Sequence, residues 1–293
     1  MVTKATMQWV ETQQWLEPMA DQLQPAVTNA LAACGSVGPK IANALHGAWL
    51  GHPLHPMLTD VPIGAWTVTA VLDGLDGISG RETFGRAAQI TLTLGLVGAA
   101  GAALTGLADW SKIGRGGARR VGLAHGPLNT TSVACYVTSL ILRRRQARRA
   151  GRGFAWLGFL ISTAAAYLGG HLVYSQQIGV DHTADQSPPK TFEPVLEEAE
   201  LAESELRRVH VGNMSILLLR QGKRIYALAE TCAHLGGPLA EGTLDGTSIV
   251  CPWHGSRYAL QDGRVLEGPS AHAQPCLEVR VRNGQIEVRA ADR

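Results

Sequence analysis

The chain has 293 residues, enough for about two domains, and a net charge of only +2 at pH 7. Apolar residues make up 45% of it and charged residues only 17%, a low charged fraction for a soluble protein. The near-neutral balance gives no reason to expect a nucleic-acid partner. The five cysteines lack the spacing of a disulfide framework, and the N-terminus lacks the apolar stretch of a cleavable secretory signal.

Residues 1–50 predict an amphipathic helical segment. Trp15, Met19 and Leu23 fall on one face of a helix, whereas Glu11 lies elsewhere. A helix that lies on a membrane surface usually has a basic polar face, but this one is acidic. We therefore expect the segment to pack against the rest of the chain.

Residues 51–180 predict an all-α domain of four transmembrane helices. Three long runs contain no charged residue other than a histidine: 87–108, 121–142 and 153–180. Each is long enough to cross the hydrocarbon core of a bilayer, which needs about 20 residues. A fourth and weaker candidate, 61–79, contains two aspartates in its second half. The alternative is a soluble bundle rich in alanine and glycine.

The last third of the chain predicts a small all-β domain. Residues 181–192 have the composition of a linker, with two consecutive prolines, and the β domain is expected over residues 193–293. Apolar and polar residues alternate on both sides of Asn283-Gly284, a dipeptide that is typical of a two-residue β-hairpin.

This β region contains two pairs of metal-ligating residue types. Cys232 and His234 are separated by one residue, and Cys251 and His254 by two residues. On chemistry alone, one interpretation is a structural zinc site with two cysteines and two histidines, although the spacing is not that of a usual zinc finger. The glycines and prolines around each pair indicate two loops that converge on a larger cofactor.

The sequences CAHLGGPL and CPWHGS resemble the two loops of the Rieske [2Fe–2S] domain, and the similarity extends over about residues 190–290. Gly268-Pro269-Ser270 resembles the proline loop of that family. The resemblance implies that Cys232 and Cys251 hold one iron of a [2Fe–2S] cluster and that His234 and His254 hold the other. Neutral imidazoles in place of two thiolates raise the reduction potential of such a cluster.

Two features refine the resemblance. Gly237 and Trp253 stand where respiratory Rieske proteins have a disulfide, so the domain resembles the ferredoxin-type group. Ser256 and Tyr258 match residues that donate hydrogen bonds to cluster sulfurs in high-potential members, so we expect a potential above that of typical Rieske ferredoxins. The alternative for Tyr258 is a simple strand aromatic. We expect no oxygenase activity, because the residues after His254 contain only one further histidine.

The segment HPLHPMLTDVPIG, with HGPLN and LGGHLVY, resembles a family of predicted membrane proteins known as domain of unknown function 2231 over residues 45–180. Four helices of alternating direction would bring five ionisable residues to one membrane face, as a second site: His52, His55, Asp109, His125 and His171. Four interpretations of this second site are open. It could hold haem b between two imidazoles, such as those of His125 and His171, or it could be a quinone or proton site. The other two are a non-haem metal site and a purely structural role.

These observations predict a membrane-anchored electron-transfer protein that is not a stand-alone enzyme. Its partners would be an electron donor or acceptor protein or a quinone, together with membrane lipid. The alternatives are a redox-sensing membrane protein and a transporter or structural anchor. We expect a bacterial cell membrane. Six arginines in 143–152 favour an outward cluster domain by the positive-inside rule, whereas the absence of a disulfide favours the cytoplasmic side, which we prefer.

Overall fold

The computed structural model describes residues 2–291, with side chains from residue 5 onward, and the chain divides into two compact units. The helical unit consists of Met1–Gly35 and Leu54–Ile178, and the β unit of Ser36–Pro53 and Gly179–Arg293. Residues 36–53 therefore lie with the β strands. The predicted boundary at residue 50, which placed most of them with the N-terminal helices, misses this arrangement because nothing in their local composition marks it.

Seven α-helices occupy the described part of the chain: α1 (Val2–Thr12), α2 (Glu17–Ala32), α3 (Gly38–His46), α4 (Leu54–Ser79), α5 (Glu82–Trp110), α6 (Gly117–Arg144) and α7 (Arg148–Tyr174). The first predicted long helix starts at Leu54 rather than at residue 61, so His55 lies in its first turn. His125 lies two turns inside α6 rather than at its beginning.

The four long helices form two hairpins, α4 with α5 and α6 with α7. A Cβ atom added to Gly95 of α5 would lie 2.2 Å from Nε1 of Trp66 in α4, so only glycine permits this approach. The Trp66 ring also stacks on Tyr136 of α6, with ring centroids 4.1 Å apart. One aromatic pair therefore joins the two hairpins across the interior.

Two of the four long helices, α5 and α7, are long and apolar enough to cross a membrane, judged among the described residues by length and composition. Most residues of both apolar stretches are not buried inside the unit. The helices α4 and α6 fall short because α4 contains three aspartates, whereas the uncharged middle of α6 contains polar residues such as Asn129 and Ser132. The prediction of four membrane spans is thus supported for two helices.

The N-terminal helices are attached to α6 by ion pairs. Arg119, whose side chain is 3% exposed, donates hydrogen bonds to Glu17 at 2.8 Å and to Asp21 at 2.7 Å. Arg120 binds the other oxygen of Glu17 at 2.6 Å. The acidic residues that disfavour a membrane-surface helix are thus used to hold α2 against α6.

Ten strands form two antiparallel sheets in the β unit: β1 (Glu193–Glu197), β2 (Leu206–Val211), β3 (Met214–Gln221), β4 (Arg224–Ala229), β5 (Thr243–Asp245), β6 (Ser248–Val250), β7 (Arg257–Ala259), β8 (Val265–Glu267), β9 (Cys276–Arg282) and β10 (Gln285–Ala290). The larger sheet has the order β1-β10-β9-β4-β3-β2 and the smaller one β5-β6-β7-β8. The hairpin predicted at Asn283-Gly284 joins β9 to β10, and both residues have positive φ.

We predict that Gly95→Ala destabilises the helical unit by about 1–3 kcal/mol, because the added methyl group overlaps the Trp66 ring. Gly64→Ala is the matched control in α4, since no atom lies within 4 Å of its added Cβ. The better helix propensity of alanine should stabilise that variant slightly. Thermal unfolding of both purified full-length variants measures the difference, and equal destabilisation would contradict the close approach.

Candidate metal centre

Two loops with the same backbone hydrogen bonds carry the predicted ligands. In the first ligand loop, residues 230–238, the Cys232 N–H donates to Gly237 O at 2.8 Å, and Gly236 N–H donates back to Cys232 O at 2.9 Å. In the second ligand loop, residues 251–256, Cys251 pairs in the same way with Ser256 at 2.8 Å and Gly255 at 3.1 Å.

The same turn therefore positions both cysteines. Gly236 and Gly255 have φ values of +76° and +77°, which a residue with a side chain rarely adopts. Each glycine lies four residues after its cysteine, and each histidine lies inside the turn. The two loops are thus equivalent in backbone geometry, although one ligand pair has one intervening residue and the other has two.

The two thiols lie together on an apolar base. Cys232 is 1% exposed and Cys251 is 3% exposed, and both pack with leucine and isoleucine side chains of the β unit. A hydrogen bond from the Cys232 thiol lowers the pKa of Cys251 to about 6. The hydrogen bond with Cys251, and then burial, raises the pKa of the Cys232 thiol. One thiolate therefore forms readily, and the second needs further positive charge such as that of a metal.

The two histidine rings of the ligand loops are in edge-to-face contact. The ring centroids of His234 and His254 are 5.1 Å apart and the ring planes are nearly perpendicular, at 82°. Burial, and then the charge of His254, lowers the pKa of His234 to about 3. The His234 imidazole is therefore neutral at physiological pH, which is the form that binds a metal.

These four side chains fit a cluster rather than a single ion. Nδ1 of His234 is buried and has no hydrogen-bond partner among the described residues, whereas such atoms are normally satisfied. A Cβ atom at Gly237 would lie 2.9 Å from Sγ of Cys251, so this glycine keeps space beside the sulfur. Over residues 2–291, no three histidine, cysteine or acidic side chains converge to hold one metal ion. A site that divides its ligands between two irons does not require such convergence.

Tyr258 and Ser256 both lie close to the ligand loops. Tyr258 is 0% exposed, and its hydroxyl lies 3.1 Å from Sγ of Cys232. Burial, then the charge and hydrogen bond of Cys232, raises the pKa of Tyr258, which keeps the hydroxyl protonated as a donor. Ser256 Oγ accepts a hydrogen bond from Ser270 N–H at 3.0 Å and so ties the second ligand loop to the proline loop, residues 268–275.

Gln274 supports the first ligand loop and is not marked by any sequence motif. Its side chain is 1% exposed, and its Nε2 donates to Ala229 O and Thr231 O, both at 2.7 Å. Its Oε1 accepts from Ala233 N–H at 3.0 Å. One buried amide thus fixes the loop between Cys232 and the end of β4.

Helix α3 contributes to the same centre from a distant part of the sequence. Asn43 donates to Leu266 O at 3.0 Å and accepts from Gly268 N–H at 2.8 Å, so it holds the start of the proline loop. The His46 ring is 2% exposed and lies against Gly268. Neither residue was predicted from the sequence, because both lie within eleven residues of the long helices but nearly two hundred residues before the ligand loops.

The second predicted site is only partly assembled. His52 belongs to the β unit, where its ring packs edge to face on His272 with centroids 5.9 Å apart. Asp109 is half-buried in the last turn of α5. Nε2 of His171 lies 2.6 Å from Glu11 Oε1, so the expected pairing of His171 with His125 as haem ligands is not favoured.

The remaining two histidines have closely similar environments. His55 places Nδ1 2.8 Å from Ala102 O, and His125 places Nδ1 2.9 Å from Ala165 O. Because a carbonyl oxygen only accepts, each ring carries its proton on Nδ1 and leaves Nε2 as an acceptor. Nε2 of His125 lies 3.0 Å from the amide nitrogen of Asn129, which donates to it.

We predict that Gln274→Leu destabilises the β unit by about 2–5 kcal/mol, because it leaves two carbonyl oxygens and one N–H group buried without partners. The variant should also retain less iron. Gln221→Leu is the control, since its side chain bonds only Gly246 O in an exposed turn. Chemical unfolding and iron analysis of the full chain measure both effects, and native iron content in Gln274→Leu would contradict this role.

Comparison with known proteins gives two matches in succession. A family model described as predicted membrane protein (DUF2231) matches residues 51–182, and one described as Rieske [2Fe-2S] domain matches residues 191–279. Ferredoxin CarAc of Metapseudomonas resinovorans is 37% identical over 84 residues, which cover 28% of this chain and 78% of the ferredoxin. The ferredoxin component of the p-cumate 2,3-dioxygenase system of Pseudomonas putida is 32% identical over 92 residues, which cover 30% of this chain and 77% of that ferredoxin.

Two other matches cover about a third of the chain. The chain spans 15% of the length of apoptosis-inducing factor 3 of Mus musculus, with 27% identity over 92 residues. A solved complex of reduced oxygenase and oxidized ferredoxin in carbazole 1,9a-dioxygenase has a chain that is 31% identical, with a TM-score of 0.33 and coverage of 35% of this chain and 95% of that one. Since two ferredoxins are matched over more than three quarters of their length, the chain belongs to the Rieske [2Fe–2S] family, and a predicted membrane protein (DUF2231) region precedes its Rieske domain.

Proposed function

We propose that the protein is a membrane-anchored electron-transfer protein that exchanges single electrons with a redox partner at the membrane surface. The observation that carries this proposal is the pairing of two buried thiols with two half-buried imidazoles on equivalent loops. The ligands of the proposed [2Fe–2S] cluster are Cys232, His234, Cys251 and His254. When bound, such a cluster takes up and releases one electron at a time.

The protein side chains give this site a buried end and an accessible end. Both cysteines are shielded from solvent, whereas His254 is half-buried beside Trp253, which is 57% exposed. The two rings lie 6.2 Å apart. An exposed tryptophan beside a ligand offers apolar contact area to a partner protein. The ferredoxin relatives support a protein partner, because one is named as a component of a dioxygenase system.

The helical unit supports the anchoring. The exposed faces of α5 and α7 carry large apolar side chains, among them Ile90, Val97 and Leu160. A helix of 26 residues, the shortest of the four, is about 39 Å long, more than the hydrocarbon thickness of a bilayer. We therefore propose that α4 to α7 all cross the membrane, with the buried polar residues of α4 and α6, such as Asp73 and Arg143, turned away from lipid.

We propose that the cluster domain lies on the cytoplasmic side of the membrane. All five cysteines are free, so no disulfide protects the ligand loops against an oxidising compartment. The arginine-rich segment 143–152 would then lie outside, against the positive-inside rule. Three of its six arginines, Arg143, Arg148 and Arg152, form ion pairs with acidic residues of α4 and α5.

We predict that Tyr258→Phe lowers the midpoint potential of the cluster by about 40–90 mV. A hydroxyl at Cys232 Sγ stabilises the more negative, reduced state, and its loss is worth about 1–2 kcal/mol. Tyr226→Phe, in β4, is the control and should leave the potential unchanged. Redox titration followed by paramagnetic resonance measures both, and an unchanged potential in Tyr258→Phe would show that this tyrosine is only a strand aromatic.

Electron transfer is distinguished from redox sensing by rate and by conformation. Reconstituted full-length protein should be reduced within seconds by a quinol or by a ferredoxin reductase and should pass the electron to an acceptor through many cycles. Limited proteolysis of the oxidised and reduced forms should then give the same fragments. Slow, single-turnover reduction together with a changed digestion pattern would favour the redox-sensing alternative instead.

A further inference from the structure

One face of α6 carries a continuous stripe of polar side chains through the helical unit. Its members, which we call the α6 stripe, recur every three or four residues: His125, Asn129, Ser132, Tyr136, Ser139 and Arg143. The last four are buried and the first two are half-buried. Apolar residues such as Val137 and Ile141 are the exposed ones. The 19 residues from His125 to Arg143 span about 27 Å, close to the thickness of a bilayer core.

Helix α4 faces one end of this stripe with its own polar residues. Asp73 is 1% exposed and accepts a hydrogen bond from Arg143, which also donates to Ser139 Oγ at 3.1 Å. Thr69 is fully buried one turn away and shares a hydrogen bond with Thr91 of α5 at 2.8 Å. Ionisable side chains inside membrane segments are costly and usually mark a functional site.

Two buried polar atoms along this line lack partners. Over the described residues, no hydrogen-bond partner exists for Oδ1 of Asp73 or Oη of Tyr136. Buried polar atoms are normally bonded to protein or to water, so each marks a position where water would bind. Successive members of the α6 stripe are separated by about 4.5–6 Å along the helix, a distance that one water molecule can bridge.

The stripe has an opening at one end and an acceptor at the other. Arg143 and Asp76 line a cavity of about 240 Å³, together with Gln89 and Arg152. At the opposite end, His125 keeps its proton on Nδ1 and directs Nε2 towards Asn129. Protons can therefore enter from the cavity, and the unprotonated ring nitrogen can receive them once the Asn129 amide has released it.

We propose that the α6 stripe is a proton path through the helical unit, from the cavity at Asp76 and Arg143 to His125. This inference rests on the proposed membrane anchoring. One proton binds Oδ1 of Asp73, and each bridging water or hydroxyl accepts a proton on one side while it releases another on the other. The last proton binds Nε2 of His125, which becomes an imidazolium and then releases it to water, so no charge or electron remains behind.

Asn129 is the gate of the path. The Asn129 amide occupies Nε2 of His125 and has to release it before a proton binds. Loss of this amide should therefore increase proton flux, which a purely structural hydrogen bond would not do.

The test uses full-length protein in liposomes that contain a pH-sensitive dye, with a potassium diffusion potential as the driving force. Native protein should conduct protons above empty liposomes, and Asn129→Ala should conduct more. Tyr136→Phe removes only the hydroxyl and keeps the stacked ring, so it should reduce flux to the level of empty liposomes. Asp73→Asn should do the same, and Thr67→Ala, on the exposed face of α4, should behave as native.

Two outcomes would overturn the path: Tyr136→Phe that conducts like native protein, or no flux in native protein and in Asn129→Ala alike. Resistance to alkaline extraction and the paramagnetic-resonance spectrum of the cluster are measured on the same liposomes. If both are normal and flux is absent, only the proton path is wrong. If the protein is extracted or has no cluster, the proposed membrane-anchored function fails.

Discussion

The functional centre depends on one repeated constraint, the turn in which a cysteine N–H and C=O are both bonded to residues four and five positions later. This turn occurs at Cys232 and again at Cys251, and each time it needs a glycine with positive φ. It brings two thiols together above an apolar base while it leaves the imidazoles near the surface. The buried thiols and the accessible rings that electron transfer requires follow from this single geometry.

Around this geometry, the structure places groups from remote parts of the chain. Gln274 anchors the first ligand loop, and Ser256 joins the second to the proline loop. Asn43 holds the proline loop from a helix that precedes the long helices. The long helices are therefore inserted between α3 and the strands of the β unit, and the chain passes between the two units at three points, after Gly35, Pro53 and Ile178, rather than by one linker.

The β-hairpin at Asn283-Gly284 was predictable from the sequence, and the four metal ligands could be proposed from it, because both depend on local chemistry. Cys232 and His234 lie within three residues, and Asn283-Gly284 is a turn by itself. The roles of Gln274 and Asn43 were not predictable, because an isolated amide has no pattern until the fold brings a backbone group to it. The second predicted site relied on helix direction alone, which could not show that the Glu11 carboxylate pairs with the His171 ring. Helix direction also could not show that His52 lies in the β unit.

Metal and sulfide analysis of the purified full-length protein, combined with paramagnetic resonance of the reduced form, tests the central claim most directly. The account predicts two irons and two acid-labile sulfides per chain and a Rieske-type spectrum that is lost in Cys251→Ser. A single zinc ion per chain, with no sulfide and no paramagnetic signal after reduction, would contradict it and would identify the four residues as a structural zinc site.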